Sequence, residues 1–202
     1  MRCWPAVLCA VLVAGTADAQ QSRPDLDARV AAGDSAFAAE RHADAFAHYD
    51  AVVRTDSAYS TRALFRVGVL HSWANRFAPA VSALRLYVRL EPADLEGRIA
   101  LGRTHAWANQ FPEALAQYDT VLQRAPQYRD AVTGRATTLA WSGRLAAADS
   151  ALTAWLVAHG DDVAAWTQLA QFRRWEGNTR GADAAVREAL RRRPDDPEAR
   201  LQ

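Results

Sequence analysis

Four tryptophans, Trp73, Trp107, Trp141 and Trp175, stand 34 residues apart, and a 34-residue period is the length of a repeating helix–turn–helix unit that buries its apolar face on its neighbours. Other positions keep step with that ladder. A small residue recurs ten positions before each tryptophan (Ala63, Gly97, Ala131, Ala165) and an alanine seven positions after it (Ala80, Ala114, Ala148, Ala182). Both predict points of close approach between helices. Two residues after each tryptophan come Asn75, Asn109, Gly143 and Gly177, residue types that tolerate the left-handed conformation closing a helix. Pro92, Pro126, Gly160 and Pro194 then fall where the second helix must end.

A less regular copy runs over residues 26–60, with Ala28, Gly33, Ala45 and Tyr49 in phase and Ala38 in the place of tryptophan. It stands 35 residues before the next copy, so its loop carries one extra residue. Asp196-Pro197-Glu198 reads as a helix start, a cap followed by proline and an acid in the first turn. The expected array therefore has repeats at about 26–60, 61–94, 95–128, 129–162 and 163–196, with a stub at 197–202.

This pattern resembles the tetratricopeptide repeat (TPR) family, whose signature of small, small, aromatic and proline positions is met in the third copy by Gly102, Ala114, Tyr118 and Pro126. The resemblance implies an all-α, right-handed superhelical solenoid over residues 20–202. The family's eleventh-position tyrosine is here Ala36, His71, His105, Leu139 and Arg173, which changes individual helix contacts. The runs at Ala106–Phe111 and Ala140–Leu145 also resemble periplasmic TPR segments of outer-membrane and exopolysaccharide-export proteins.

Residues 1–19 read as an export signal: Arg2, an apolar stretch over residues 3–15, and a small-x-small site at Ala17-Asp18-Ala19. Export of a mature chain to the periplasm of a Gram-negative-type bacterium is the expectation. Cleavage removes Cys3 and Cys9 and with them any disulfide, thiol nucleophile or thiolate ligand. The formal net charge of +1 does not supply the general attraction of a nucleic-acid binder. Arg187, Arg191, Arg192 and Arg193 read as a solvated helix end, with cations at the negative pole of the dipole.

No phosphate loop, nucleophile elbow or paired metal-ligating motif is present in the sequence, so neither an enzyme nor a cofactor or metal is expected. His71 and His105 share one repeat position on the core-facing side and are expected as packed neutral histidines.

Helical geometry places Glu96, Ile99, Arg103, Ala106 and Trp107 on the side of the first helix away from its partner. The equivalent side carries Arg62 and Trp73 in the second copy, Thr133, Thr137 and Trp141 in the fourth, and Thr167, Gln171, Arg174 and Trp175 in the fifth. In TPR proteins this side lines the concave surface. The resemblance thus implies a groove in which Trp73, Trp107, Trp141, Trp175, Arg62, Arg103 and Arg174 contact a protein or peptide partner.

Two readings of the indoles stay open, packing between successive first helices and contact with a ligand. A polysaccharide stacked on the rings is the alternative partner. A third reading pairs the chain with another through its C-terminal end, where the stub leaves Val186 and Leu190 largely uncovered.

Overall fold

The computed structural model describes residues 14–201, with side chains from Arg23 onward. Among these residues there are only helices, turns and bends: α1 (Ala14–Ala38), α2 (His42–Thr55), α3 (Thr61–Trp73), α4 (Phe77–Leu90), α5 (Leu95–Trp107), α6 (Phe111–Arg124), α7 (Arg129–Trp141), α8 (Leu145–Ala158), α9 (Val163–Trp175), α10 (Thr179–Arg192) and α11 (Pro197–Leu201). From α3 to α10 a 13-residue helix alternates with a 14-residue one. The expected export signal lies largely outside the described residues.

The chain divides into two compact units between Val67 and Gly68, within α3. In the first, α1 and α2 pack on Leu26, Ala36, Ala45, Tyr49 and Val52, all buried. The Tyr49 ring lies where a Cβ on Gly33 would stand, 2.7 Å from it, and its hydroxyl donates to Asp34 Oδ1 at 2.7 Å.

In the second unit each first helix packs on its own second helix and on those of the neighbouring repeats. Ala131, Ala165, Ala114, Ala148 and Ala182 have no exposed surface. The first helices are therefore buried on most sides: α5 buries Gly97, Ile99, Ala100, Leu101, Gly102, Thr104, His105 and Ala106. Burial of Ile99 and Ala106 departs from the open side expected for them. They belong to a cluster with Ala114, Tyr118, Val121 and Ala131, and direct contact between successive first helices closes that side. His105 is 1% exposed, its Nδ1 2.6 Å from Gln110 Oε1.

The turns follow the predicted chemistry. Asn75, Asn109, Gly143 and Gly177 all have positive φ, at 56°, 58°, 82° and 82°. After Trp107, the Gln110 N–H reaches back to the His105 carbonyl at 2.8 Å and the Asn109 N–H to that of Ala106 at 3.0 Å, which closes the helix end. The second helices end two residues before Pro92, Pro126, Gly160 and Pro194.

In the first copy the left-handed residue is Glu40, at φ 58°, where an ordinary side chain costs roughly 1–2 kcal/mol. Replacing exposed Glu40 with glycine is expected to stabilise the chain by about 0.5–1 kcal/mol, offset in part by unfolded-state entropy. A thermal unfolding midpoint raised by roughly 1–3 °C checks this, and Gly143→Ala is expected to lower it.

Candidate functional site

Successive first helices are joined by polar contacts between their side chains. Ser72 Oγ and Thr104 Oγ1 lie 3.0 Å apart between α3 and α5, buried. Gln168 Nε2 of α9 donates to Thr137 Oγ1 of α7.

One further link ties α7 to the start of α9. Arg129, the first residue of α7, donates through Nε and Nη2 to the two oxygens of Asp162 at 2.7 and 2.8 Å. Asp162 also caps α9 by accepting from the Ala165 N–H at 3.1 Å and accepts from Trp155 Nε1 at 3.0 Å. Burial works against the charge of Asp162, but the bonds from Arg129, Trp155 and Ala165 outweigh it and hold its carboxyl below the ordinary aspartate range. The His159 ring stacks on Trp155 at 3.6 Å between centroids.

Against this frame α7, α9 and α11 line a cavity of about 500 Å³ formed by Arg129, Thr133, Ala164, Thr167, Gln168, Gln171, Glu198 and Leu201. It is rich in hydroxyls and side-chain amides. Thr133 and Gln171, both partly exposed, fall on the open side of the helical wheel, whereas Thr167 is buried like Ile99 at the same repeat position. Arg129 and Gln168 do not fall on that side, because their placement follows from contacts 33 and 31 residues away.

The expected contact residues fall elsewhere. Trp73, Trp141 and Trp175 are 47, 43 and 49% exposed at the C-terminal ends of α3, α7 and α9. Trp107 is half-buried, with the Arg103 guanidinium 5.8 Å from its ring centroid. Arg174 is exposed beside Trp175. Arg62, in the first unit, is ion-paired with Asp34 at 2.8 Å. The four indoles thus stand at the C-terminal ends of successive first helices, Trp175 one turn beyond the cavity residue Gln171, and Arg62 is engaged with a carboxylate.

The basic cluster of α10 is engaged as well. Arg191 and Arg192 both pair with Glu188, and Arg193 pairs with Asp196 at 3.1 Å. At the stub, Asp196 Oδ1 caps α11 through the Ala199 N–H at 2.9 Å. Ala199 is buried with Val163 and Ala189. Val186 and Leu190 are partly covered.

No protein-family model matches the sequence, and no curated protein matches it. Solved structures do match. YrrB, a TPR protein with an unusual peptide-binding site, is 17% identical with a TM-score of 0.66, over 94% of this chain and 97% of that one. The chain has the tetratricopeptide-repeat fold. A thermophilic TPR protein of Thermus thermophilus, TTC0263, is 19% identical with a TM-score of 0.68, over 87% of this chain and 95% of that one. MamA is 16% identical with a TM-score of 0.69, over 84% of this chain and 92% of that one. Identity at this level carries the TPR fold and no more.

Asp162 tests the frame of the TPR array. Its folded-state pKa is depressed, so its contribution is fully present above the unfolded value near 3.9 and is lost as pH falls through the folded value. Asp162→Asn is expected to cost about 2 kcal/mol at neutral pH and to flatten the decline in stability below about pH 4. Denaturant unfolding at neutral and acid pH reads both.

Proposed function

We infer that the protein is an exported, non-catalytic TPR scaffold that holds a segment of a partner protein against its first helices. The cavity bounded by α7, α9 and α11 carries this reading. A peptide in extended form presents N–H donors and C=O acceptors along its length. Gln171 offers an amide that can both donate and accept, and Gln168 beside it on α9, whose Nε2 donates to Thr137, adds its amide oxygen. The Thr133 hydroxyl, which donates to the Arg129 carbonyl, adds an acceptor, while Glu198 and Arg129, the latter paired with Asp162, place opposite charges on the cavity wall. Such a lining suits holding a backbone in place. Among the described residues there is no cluster of three or more metal-ligating side chains.

YrrB's peptide-binding site belongs to that protein, but it shows that a scaffold of similar fold can serve this end. Export rests on the N-terminal sequence, Arg2 followed by an apolar stretch and Ala17-Asp18-Ala19. No described helix is long and apolar enough to cross a membrane.

Ala164 is exposed at the start of α9 and lines the cavity, so Ala164→Trp fills the space without touching a buried contact. Capture of partners from an envelope fraction, followed by titration of the captured protein, is expected to show binding weakened about tenfold or more by Ala164→Trp. Gln171→Ala is expected to act in the same direction, with helical circular dichroism unchanged for both. Equal binding by wild type and Ala164→Trp overturns the assignment of the cavity.

A further inference from the structure

The row of indoles differs from the cavity in one respect: the cavity positions change from repeat to repeat, whereas the tryptophans do not. Packing alone does not account for them, since Trp73, Trp141 and Trp175 leave between 43 and 49% of their surface in solvent. A non-repetitive ligand would meet a different requirement at every rung. The same large aromatic at each rung suits a ligand that offers the same group at each step.

The spacing of the rungs narrows the choice. Successive first helices touch through side chains, Ser72 with Thr104 and Thr137 with Gln168, and the axes of packed helices stand roughly 8–10 Å apart. A polyproline II helix repeats every three residues and rises about 9 Å per turn. Its pyrrolidine rings stack on aromatic faces, as in other proline-recognising grooves.

Hydrogen-bonding character points the same way. Indole Nε1 and guanidinium groups only donate, and a proline-rich segment has carbonyl acceptors with few N–H groups of its own. A sugar chain, whose hydroxyls both donate and accept, is a poorer complement. Charge adds a further requirement. The Arg103 guanidinium lies 5.8 Å from the Trp107 ring centroid, Arg144 follows Trp141 by three residues and Arg174 precedes Trp175, and none of the three is ion-paired among the described residues. Glu176 is the one acid in the turns that follow the four tryptophans. The row is therefore a net positive strip.

We propose that the tryptophan row, with Arg103, Arg144 and Arg174, binds an acidic, proline-rich segment of a partner protein in the polyproline II conformation, one turn of the ligand per repeat. This rests on the peptide-scaffold reading and names the partner's chemistry. The cavity holds a neighbouring stretch of the same partner.

The test uses the full chain and fluorescein-labelled peptides of the form (Pro-Pro-Glu)n with two, three and four turns, roughly 6, 9 and 12 residues long. Fluorescence anisotropy is expected to show affinity rising with each added turn. Trp141→Ala with Trp175→Ala is expected to weaken the longest peptide by about tenfold or more, with Trp→Phe at both sites restoring part of the loss. Arg144→Glu with Arg174→Glu is expected to weaken (Pro-Pro-Glu)n and to favour (Pro-Pro-Arg)n.

Equal binding of a (Gly-Ser-Glu)n peptide of the same length overturns the proposal. So does unchanged affinity in the tryptophan variants with helical circular dichroism intact, or an indole response to acidic or neutral oligosaccharides without one to the peptides. A captured partner that depends on Ala164 and has no proline-rich segment sinks this inference and leaves the scaffold reading standing. Absence of any captured protein and of any peptide binding sinks both.

Discussion

Close approach of helix backbones at small residues is the constraint on which the rest of the structure depends. Ala80, Ala114, Ala148 and Ala182 are each fully buried at the same step of the period, and at other steps a large side chain rests directly on a glycine. A Cβ on Gly97 would run into the Tyr87 ring, one on Gly134 would stand 2.7 Å from Tyr118, and one on Gly68 2.7 Å from Leu84. Contacts this tight bring dispersion forces to bear over whole helix faces. Each unit is stabilised by the area it buries on the next.

Packing of small residues fixes distance but leaves helices free to slide, and the polar junctions remove that freedom. The residue before each first helix repeatedly serves two neighbours. Asp94 caps α5 through the Glu96 N–H at 3.0 Å and accepts from the Tyr87 hydroxyl of α4. Tyr128 donates to Glu96 of the preceding first helix. Asp162 joins α7, α8 and α9 through Arg129, Trp155 and its own cap bond. Exposed ion pairs such as Arg41 with Asp44 add little to this. The Asp162 carboxylate, with only 9% of its side chain exposed, adds more because losing one partner leaves a buried charge unmatched.

Much of this is legible in the sequence because a period repeated four times averages out local ambiguity. The left-handed residues after Trp73, Trp107, Trp141 and Trp175 and the helix breakers at Pro92, Pro126, Gly160 and Pro194 fall where spacing alone puts them. The first copy is harder to read, since Glu40 occupies a left-handed position with no glycine or asparagine to signal it. Ile99 and Ala106 are buried although the helical wheel puts them on the outer side. A wheel knows only one partner helix, and here a second first helix lies alongside. Arg62 reads as a groove cation, but Asp34 meets it from 28 residues away, and a contact at that separation leaves no periodic trace. The Arg129, Asp162 and Trp155 junction escapes sequence reading for the same reason.

The two surfaces of the second unit follow opposite rules of sequence, and that difference bears on what each can hold. Along the side of the first helices turned away from their own second helix one position reads Ile99, Thr133 and Thr167, and another reads Arg103, Thr137 and Gln171. Those series move from apolar or charged to neutral polar groups as they approach the cavity, so the cavity is a local feature at one end of the array. The indoles are constant in the same repeats. A row of constant aromatic groups gives affinity that grows with the number of rungs engaged, because each added unit binds within reach of the last. It gives no register, since sliding by one repeat presents the same face again. A varied cavity supplies register and little area. A ligand that must be held in one place along a repeating track needs both, and in this chain the cavity residue Gln171 stands one helical turn from Trp175, the last tryptophan of the row.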